Sequence, residues 1–265
     1  MKKNKNKKGS FFKKILAIIS LIIICLSIYI IKSGYDIYKD AIASMPINKK
    51  VDEVSSSDSY VTLDNIPKTY QEATILIEDK RFYSHQGVDI ISIGRAIIKD
   101  ISTLSLAEGG STITQQVAKN LYLTQEKKFT RKVAEVFLAT KLEEELSKEK
   151  ILELYLNIIY YGDGYYGIQN ASYGYFGKAP ASLNLNEQTL LVGIPNAPSI
   201  YQLSNNSKLT YERQNIVINT LAEAGNITDE QVSIIEQEKE SINNYWQIYD
   251  YKYNIDVNCY QSLLI

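Results

Sequence analysis

Residues 73–87 read ATILIEDKRFYSHQG and are the segment around which the other motifs of the chain are organised. Small and apolar residues lead directly into two adjacent acids, and a Lys-Arg pair, two aromatic residues and the only histidine of the chain follow. Because Glu78 comes straight after three apolar residues, we expect its carboxylate at the edge of a packed core. Partial desolvation and nearby cations would set its basicity there, which makes Glu78 a candidate general base. The simpler alternative is a helix end that forms a salt bridge to Lys80 or Arg81.

The residues around this stretch predict a helix from about 67 to 79. Tyr70, Ala73 and Ile77 form an apolar stripe at helical spacing, and Pro67 suits the first turn of a helix. Such a helix would present Glu78 at its C-terminal end.

Charge and composition exclude some classes of protein. The first fourteen residues contain seven lysines and no acid, and the remaining residues carry 22 of the 29 Lys and Arg side chains against all 30 acids. An acidic body argues against a general nucleic-acid binder. A single histidine with two cysteines also excludes a structural zinc site.

The basic head, residues 1–14, leads into 17 uncharged and mostly aliphatic residues at 15–31. This pattern predicts one transmembrane helix over 15–35, with the lysine-rich N-terminus in the cytoplasm. A cleaved signal peptide is the alternative, with Ala41-Ile42-Ala43 as its cleavage site, but that site lies far beyond an apolar run that is already long. Residues 36–59 have little hydrophobic periodicity and are predicted to be an exposed linker.

A second motif, GGSTITQQVAKN at residues 109–120, predicts the start of a helix. Thr112 and Gln115 have the spacing of a capping box. The free N–H groups of a helix N-terminus, with Lys119 inside the helix, suit an anion such as phosphate. A purely structural cap is the alternative.

A third motif, at residues 127–139, places Arg131 and Glu135 four residues apart on a helix that Thr130 would cap. A surface ion pair would explain the spacing. However, Glu135 is the only charge between Lys132 and Lys141, and a lone acid among apolar residues is costly unless it has a role.

Farther along, residues 158–167 read IIYYGDGYYG. We interpret them as an aromatic–glycine loop of the kind that lines carbohydrate sites.

Together these motifs resemble the peptidoglycan glycosyltransferases of family 51, which occur alone or as the N-terminal half of class A penicillin-binding proteins. The likeness covers about residues 60–225. The residues that carry it are Glu78-Asp79-x-x-Phe82-x-x-His85-x-Gly87, Gly110-Ser111-Thr112-Ile113-Thr114-Gln115-Gln116, Arg131-Lys132-x-x-Glu135, the segment 148–157, Tyr175-Phe176-Gly177-Lys178 and Glu187…Pro195-x-x-Pro198-Ser199.

The resemblance implies a mainly α, lysozyme-like helical domain with a membrane-associated lobe, preceded by one N-terminal transmembrane helix. The predicted domains are a cytoplasmic basic segment (1–14), the transmembrane helix (15–35), the linker (36–59), the glycosyltransferase domain (60–240) and a C-terminal tail (241–265).

The resemblance also implies roles for individual residues. Glu78 is similar to the general base of the family, and Glu135 matches its second acid. The implied substrate-binding residues are Asp79, Phe82, His85, Ser111, Thr112, Gln115, Gln116, Lys119, Lys127 and Arg131. Lys127 stands where many members have arginine, so the charge is kept while the bidentate fork to phosphate is lost. No cofactor is implied with certainty, and a divalent ion, Mg²⁺ or Mn²⁺, near Glu135 is left open.

The implied activity is the polymerisation of lipid II into glycan strands at the outer face of the cell membrane. The partners would be lipid II, the nascent strand, membrane lipid and other proteins of cell-wall synthesis, without nucleic acid. No K-T-G motif accompanies the short S-x-x-K matches, so we expect a monofunctional enzyme. A lytic transglycosylase or lysozyme-type hydrolase and a non-catalytic cell-wall scaffold are the alternatives.

Overall fold

The structure is a computed structural model, and it describes residues 5–95, 110–124, 128–205 and 208–239. In these ranges the chain is helical and has no strand, which confirms the predicted mainly α fold. The helices are α1 (Lys5–Ser44), α2 (Ile47–Ser55), α3 (Lys68–Glu78), α4 (90–95 of the described residues), α5 (Ile113–Tyr122), α6 (Phe129–Glu145), α7 (Lys148–Ile158), α8 (Ile168–Phe176), α9 (Leu185–Gly193), α10 (Pro198–Tyr201), α11 (Lys208–Glu223) and α12 (229–239).

The chain divides into two compact units, which we describe separately. Unit 1 comprises Met1–Ser57 and Phe82–Tyr155, and unit 2 comprises Asp58–Arg81 and Leu156–Ile265.

The predicted N-terminal apolar helix is present and is longer than expected. Its segment Phe11–Ser44 is long and apolar enough to cross a membrane by length and composition. With 40 residues, α1 extends over about 60 Å, roughly twice the thickness of a hydrocarbon core.

The prediction of an exposed linker over 36–59 is wrong for most of that range. Residues up to Ser44 continue α1, and α2 follows after a short turn. Ile47 and Val51, one helical turn apart, are both buried, so the lysines and acids between and after them lie on the other face of a packed helix.

Unit 1 is built on the contact of α6 with α1 and α5. Gly34 of α1 is buried against α6, where a side chain at that position would come within 2.6 Å of Val133 Cβ and 2.8 Å of the Thr130 carbonyl oxygen. Beyond this close approach, the ring of Phe137 meets the ring of Tyr35 edge-on at 5.2 Å, and Tyr38 lies 5.8 Å from it. The part of α1 around Gly34 therefore packs directly on α6.

Unit 2 packs α3 against α9 and α11. At its centre the hydroxyls of Tyr70 and Tyr161 are 2.9 Å apart, and both side chains are buried. The side-chain amide of Asn157 accepts a hydrogen bond from the backbone N–H of Val61 and donates one to the Val61 carbonyl oxygen, both at 2.8 Å. These bonds fix the segment before α3 to the chain that follows Leu156 in the same unit.

Several local predictions agree with the structure. The helix expected over 67–79 is α3, and α5 has both hydrogen bonds of the Thr112–Gln115 capping box. The predicted cap at Thr130 is wrong, because α6 begins one residue earlier at Phe129, with Lys128 in the N-cap position and no side-chain cap.

Candidate active site

Glu78 lies at the predicted place, as the last residue of α3 in unit 2. Its side chain is half-buried, and its Oε1 atom is shielded from solvent. The next residue, Asp79, is buried and leaves the helix with φ −156° and ψ 73°. Burial raises the pKa of Tyr161 far above its ordinary value, and the negative charge of Glu78 contributes to that rise. The carboxylate of Glu78 therefore lies close enough to the buried Tyr161 to influence its ionisation.

Phe82 and His85 belong to unit 1 and face its interior rather than open solvent. Phe82 is fully buried, with the ammonium of Lys148 4.5 Å from its ring centroid. The His85 side chain is 6% exposed. Its imidazole lies 6.2 Å from the Phe82 ring. In this conformation both side chains support the loop that carries them, and their predicted contact with substrate stays a prediction.

Glu143, a buried acid that the motifs of the sequence do not include, connects the loop of Phe82 and His85 to helices α5, α6 and α7. The Oε1 atom of Glu143 on α6 accepts hydrogen bonds from Thr114 Oγ1 at 2.6 Å and from Lys148 Nζ at 2.7 Å. The Nδ1 atom of His85 lies 3.8 Å from the same oxygen. In the sequence, Glu143 is the first of three consecutive glutamates at a helix end, a pattern typical of a solvated surface, so spacing gave no signal for it.

The N-terminus of α5 is held by its own predicted ligand-binding residues. Thr112 is buried and donates its hydroxyl to the Gly87 carbonyl oxygen at 2.6 Å, while it also caps the helix. The Oε1 atom of Gln115 accepts from Thr112 N at 3.0 Å. The Nε2 atom of Gln115 is buried and has no hydrogen-bond partner among the described residues. Gln116 and Lys119 are half-buried along the same helix.

Ser111 and Glu135, from the second and third motifs, are brought together by Lys132. The Lys132 ammonium donates to Ser111 Oγ at 2.6 Å and to Glu135 Oε1. The Glu135 side chain is only 3% exposed, whereas that of Lys132 is 44% exposed. The sequence suggests an ion pair of Glu135 with Arg131, four positions earlier. In the structure Glu135 is paired instead with Lys132, three positions earlier. That spacing also brings side chains together on a helix and could have identified Lys132.

Of the two other cations predicted near Glu135, Arg131 and Lys127, the structure describes only Arg131. Arg131 is half-buried, and its Nε atom is buried with no hydrogen-bond partner in the part of the chain that the structure describes. Lys127 lies outside the described residues.

A divalent ion near Glu135 would receive few ligands from the protein. Within the described ranges no group of three or more His, Cys, Asp or Glu side chains could hold a metal ion. Because Glu135 is paired with Lys132, the residues present do not fit a protein-held metal centre, and the ion stays a prediction.

Most of the chain, including the candidate active-site residues, is similar to known proteins. A family model described as transglycosylase matches residues 46–222. The chain is 44% identical over 190 residues to penicillin-binding protein 1F of Bacillus subtilis (strain 168), covering 70% of this chain and 27% of that protein. It is 46% identical over 172 residues to penicillin-binding protein 1A of Neisseria flavescens, covering 65% of this chain and 22% of that protein. It is also 44% identical over 172 residues to penicillin-binding protein 1A of Aquifex aeolicus (strain VF5), covering 65% of this chain and 24% of that protein.

These relatives are matched over only about a quarter of their length. The family model, in contrast, covers a part of each unit and every motif on which the sequence resemblance was based. The chain therefore belongs to the transglycosylase family, the peptidoglycan glycosyltransferases that its motifs resemble.

Proposed function

We propose that this chain polymerises lipid II into glycan strands and releases undecaprenyl pyrophosphate. The observation that carries the proposal is the contact of Ser111, Lys132 and Glu135 inside the region that matches the family. A buried acid fixes a partly exposed ammonium beside a hydroxyl. An ammonium and a hydroxyl fixed in this way can bind the oxygens of a diphosphate leaving group.

The reaction requires a base for the acceptor sugar. Glu78 takes the proton of the 4-hydroxyl while that oxygen forms a bond to the anomeric carbon of the donor. The bond from this carbon to the diphosphate oxygen breaks, and the electron pair leaves with undecaprenyl pyrophosphate. Attack from the face opposite the leaving group inverts the configuration, as in inverting glycosidases with a sugar hydroxyl in place of water. The half-buried position of Glu78 supports this role, since a desolvated carboxylate is a stronger base.

The leaving group carries negative charge that cations must balance. Lys119 and Arg131 are the predicted ligands, and we add Lys132 to them because of its contact with Ser111. The buried Nε of Arg131 supports the assignment, since an N–H without a protein partner gains most from a phosphate oxygen. Lys127 stays a predicted ligand.

The apolar helix α1 supports a location at the cell membrane. With the lysine-rich N-terminus in the cytoplasm and α1 as a membrane anchor, the residues that follow α1 would lie on the outer face of the membrane. The nascent strand and membrane lipid would then be its partners there, together with other proteins of cell-wall synthesis. Action without a transpeptidase domain stays a prediction.

The test is the reaction of the purified full chain with lipid II, followed by separation of glycan strands on a gel. Glu78→Gln should abolish strand formation while the protein stays folded. Glu223→Gln is the matched control, because Glu223 also ends a helix of unit 2 but is exposed. Strand formation by Glu78→Gln at the wild-type rate would refute the role of Glu78.

The same assay separates the alternatives. A lytic transglycosylase or hydrolase would shorten added glycan and form no strands from lipid II, and a scaffold would do neither. Reactions with and without Mg²⁺ or Mn²⁺ test the divalent ion.

A further inference from the structure

The aromatic–glycine loop at 158–167 in unit 2 has no part in the chemistry proposed above. It is a tight turn in which Tyr161 N donates to the Tyr165 carbonyl oxygen at 2.8 Å. Asp163 at its tip has a φ of +49° and is the non-glycine residue with positive φ among the described residues. That backbone region is uncommon outside glycine, and aspartate is one of the residues that tolerate it. The turn therefore places a carboxylate, rather than a bare backbone, at its tip.

The carboxylate of Asp163 is fixed from two other segments. Its Oδ2 atom accepts from the Tyr175 hydroxyl at 2.9 Å and from Ser204 N at 3.3 Å, and its Oδ1 atom accepts from Ser204 Oγ at 2.5 Å. Although burial acts against ionisation, the hydrogen bonds from Ser204 and Tyr175 hold the pKa of Asp163 below its ordinary value. A carboxylate has about four acceptor positions, so the ionised group can still accept a further hydrogen bond at Oδ1.

Beside this carboxylate lies a cavity of about 590 Å³. This volume is within the range of roughly 300–1,000 Å³ that is usual for ligand sites. The lining combines aromatic rings with a few polar groups, and all of its residues belong to unit 2. The rings are those of Tyr165, Tyr175, Phe176 and Tyr211, and the polar groups are those of Asp163, Asn186, Ser204, Thr210 and Lys239.

The wall formed by Tyr165 depends on a glycine. A side chain at Gly174 would come within 2.2 Å of the Tyr165 ring, so the ring lies directly on the backbone of α8. The rings of Tyr165 and Tyr175 then meet edge-on, with centroids 5.0 Å apart. A ring held between a helix backbone and a second ring is a pre-organised surface, which lowers the entropy cost of binding.

We propose that this cavity binds sugar units of the product glycan strand. A pyranose ring offers C–H faces that pack on aromatic rings, and hydroxyls that donate to carboxylate and amide oxygens. The cavity offers both kinds of partner, with the rings of Tyr165 and Tyr175 beside the carboxylate of Asp163. This identification rests on the proposed function, which supplies the glycan strand as the product.

The test uses the full chain in detergent micelles and soluble peptidoglycan oligosaccharides of four to six sugars. These probes have neither lipid nor pyrophosphate, so they cannot serve as donors. Binding is measured by saturation-transfer NMR and by titration calorimetry. We expect binding by the wild type and by Tyr165→Phe, and a loss of affinity of about tenfold or more in Tyr165→Ala, because the ring face is removed.

Two further variants keep the test decisive. Leu203→Trp fills the cavity from its half-buried rim and should reduce binding without removing an aromatic wall. Tyr173→Ala removes a tyrosine of α8 that is 51% exposed and outside the cavity, so its affinity should equal that of the wild type. Undetectable binding by the wild type would overturn the proposal. Affinities of Tyr165→Ala and Leu203→Trp equal to that of the wild type would also overturn it. Polymerisation of lipid II by the wild type is measured separately, so the proposed function can fail or hold independently of this result.

Discussion

The buried pair of Glu143 and Lys148 gives a quantitative test of how unit 1 is held together. Their side chains are only 6% and 19% exposed, and they join α6 to α7 beside the His85 loop. Removing one partner of a buried ion pair leaves an uncompensated charge, at a cost of about 3–5 kcal/mol. We therefore expect Lys148→Met to lower the free energy of unfolding by about that amount. It also removes the cation above the Phe82 ring, which adds a smaller loss.

The double variant Glu143→Gln/Lys148→Met should lose much less than the sum of the single variants, because neither charge is left without its partner. Side chains in one network typically show coupling energies of about 0.5–3 kcal/mol. At roughly 2–4 °C per kcal/mol for a domain of this size, Lys148→Met should melt about 6–20 °C below the wild type.

The assay is thermal unfolding of the full chain in detergent, followed by helical circular dichroism. Lys141→Met is the control, since Lys141 forms ion pairs on the same helix with partners that are 58% and 40% exposed. Surface pairs contribute about 0–1 kcal/mol, so the control should melt within a few degrees of the wild type. A Lys148→Met variant as stable as this control, or strictly additive losses in the double variant, would refute the reasoning.

Two other predictions concern α1 and the loop at Asp163. Gly34→Leu should force α1 away from α6 at Val133 and lower the free energy of unfolding by about 1–3 kcal/mol. The control Ile31→Leu, at an exposed position of the same helix, should melt at the temperature of the wild type. Equal melting temperatures of the two variants would contradict the close packing at Gly34. Because the pKa of Asp163 is lowered from 3.8 in the folded protein, its ionisation contributes stability that is complete above that value and is lost as the pH falls through the lowered pKa. Urea unfolding between pH 7 and pH 2.5 should therefore show a shallower acid loss in Asp163→Asn, and an unchanged slope would show that the fold gains nothing from the charge.

Much of the local structure could be predicted, because helical periodicity and capping depend on residues that are close together in the sequence. The apolar stripe before Glu78 predicted α3, and the spacing of Thr112 and Gln115 predicted a capping box that the structure contains. These features depend on residues within one helical turn of each other. Periodicity and capping chemistry therefore identify them without knowledge of the rest of the chain.

Other features depend on partners that are distant in sequence. The charges that dominate residues 47–55 predict a linker, although two buried apolar residues make this segment a packed helix. Glu143 was missed because its partners lie on α5 and α7. Lys132 was not singled out, although its contact with Glu135 is local, because the spacing of Arg131 gave the same signal. The functional roles of the candidate residues stay predictions, which the experiments above can test.

The length of α1 has a mechanical consequence. One helix without a break runs through the apolar segment and on to Gly34, where it packs on α6. A continuous helix of this kind couples the position and rotation of α6 to those of the apolar segment, whereas a flexible linker would couple neither. Each residue inserted between the apolar segment and Gly34 would move α6 by about 1.5 Å along the helix axis, relative to the apolar segment, and turn it by about 100°. The register of this helix would therefore set which side of α6 faces the bilayer, if α1 spans it as proposed.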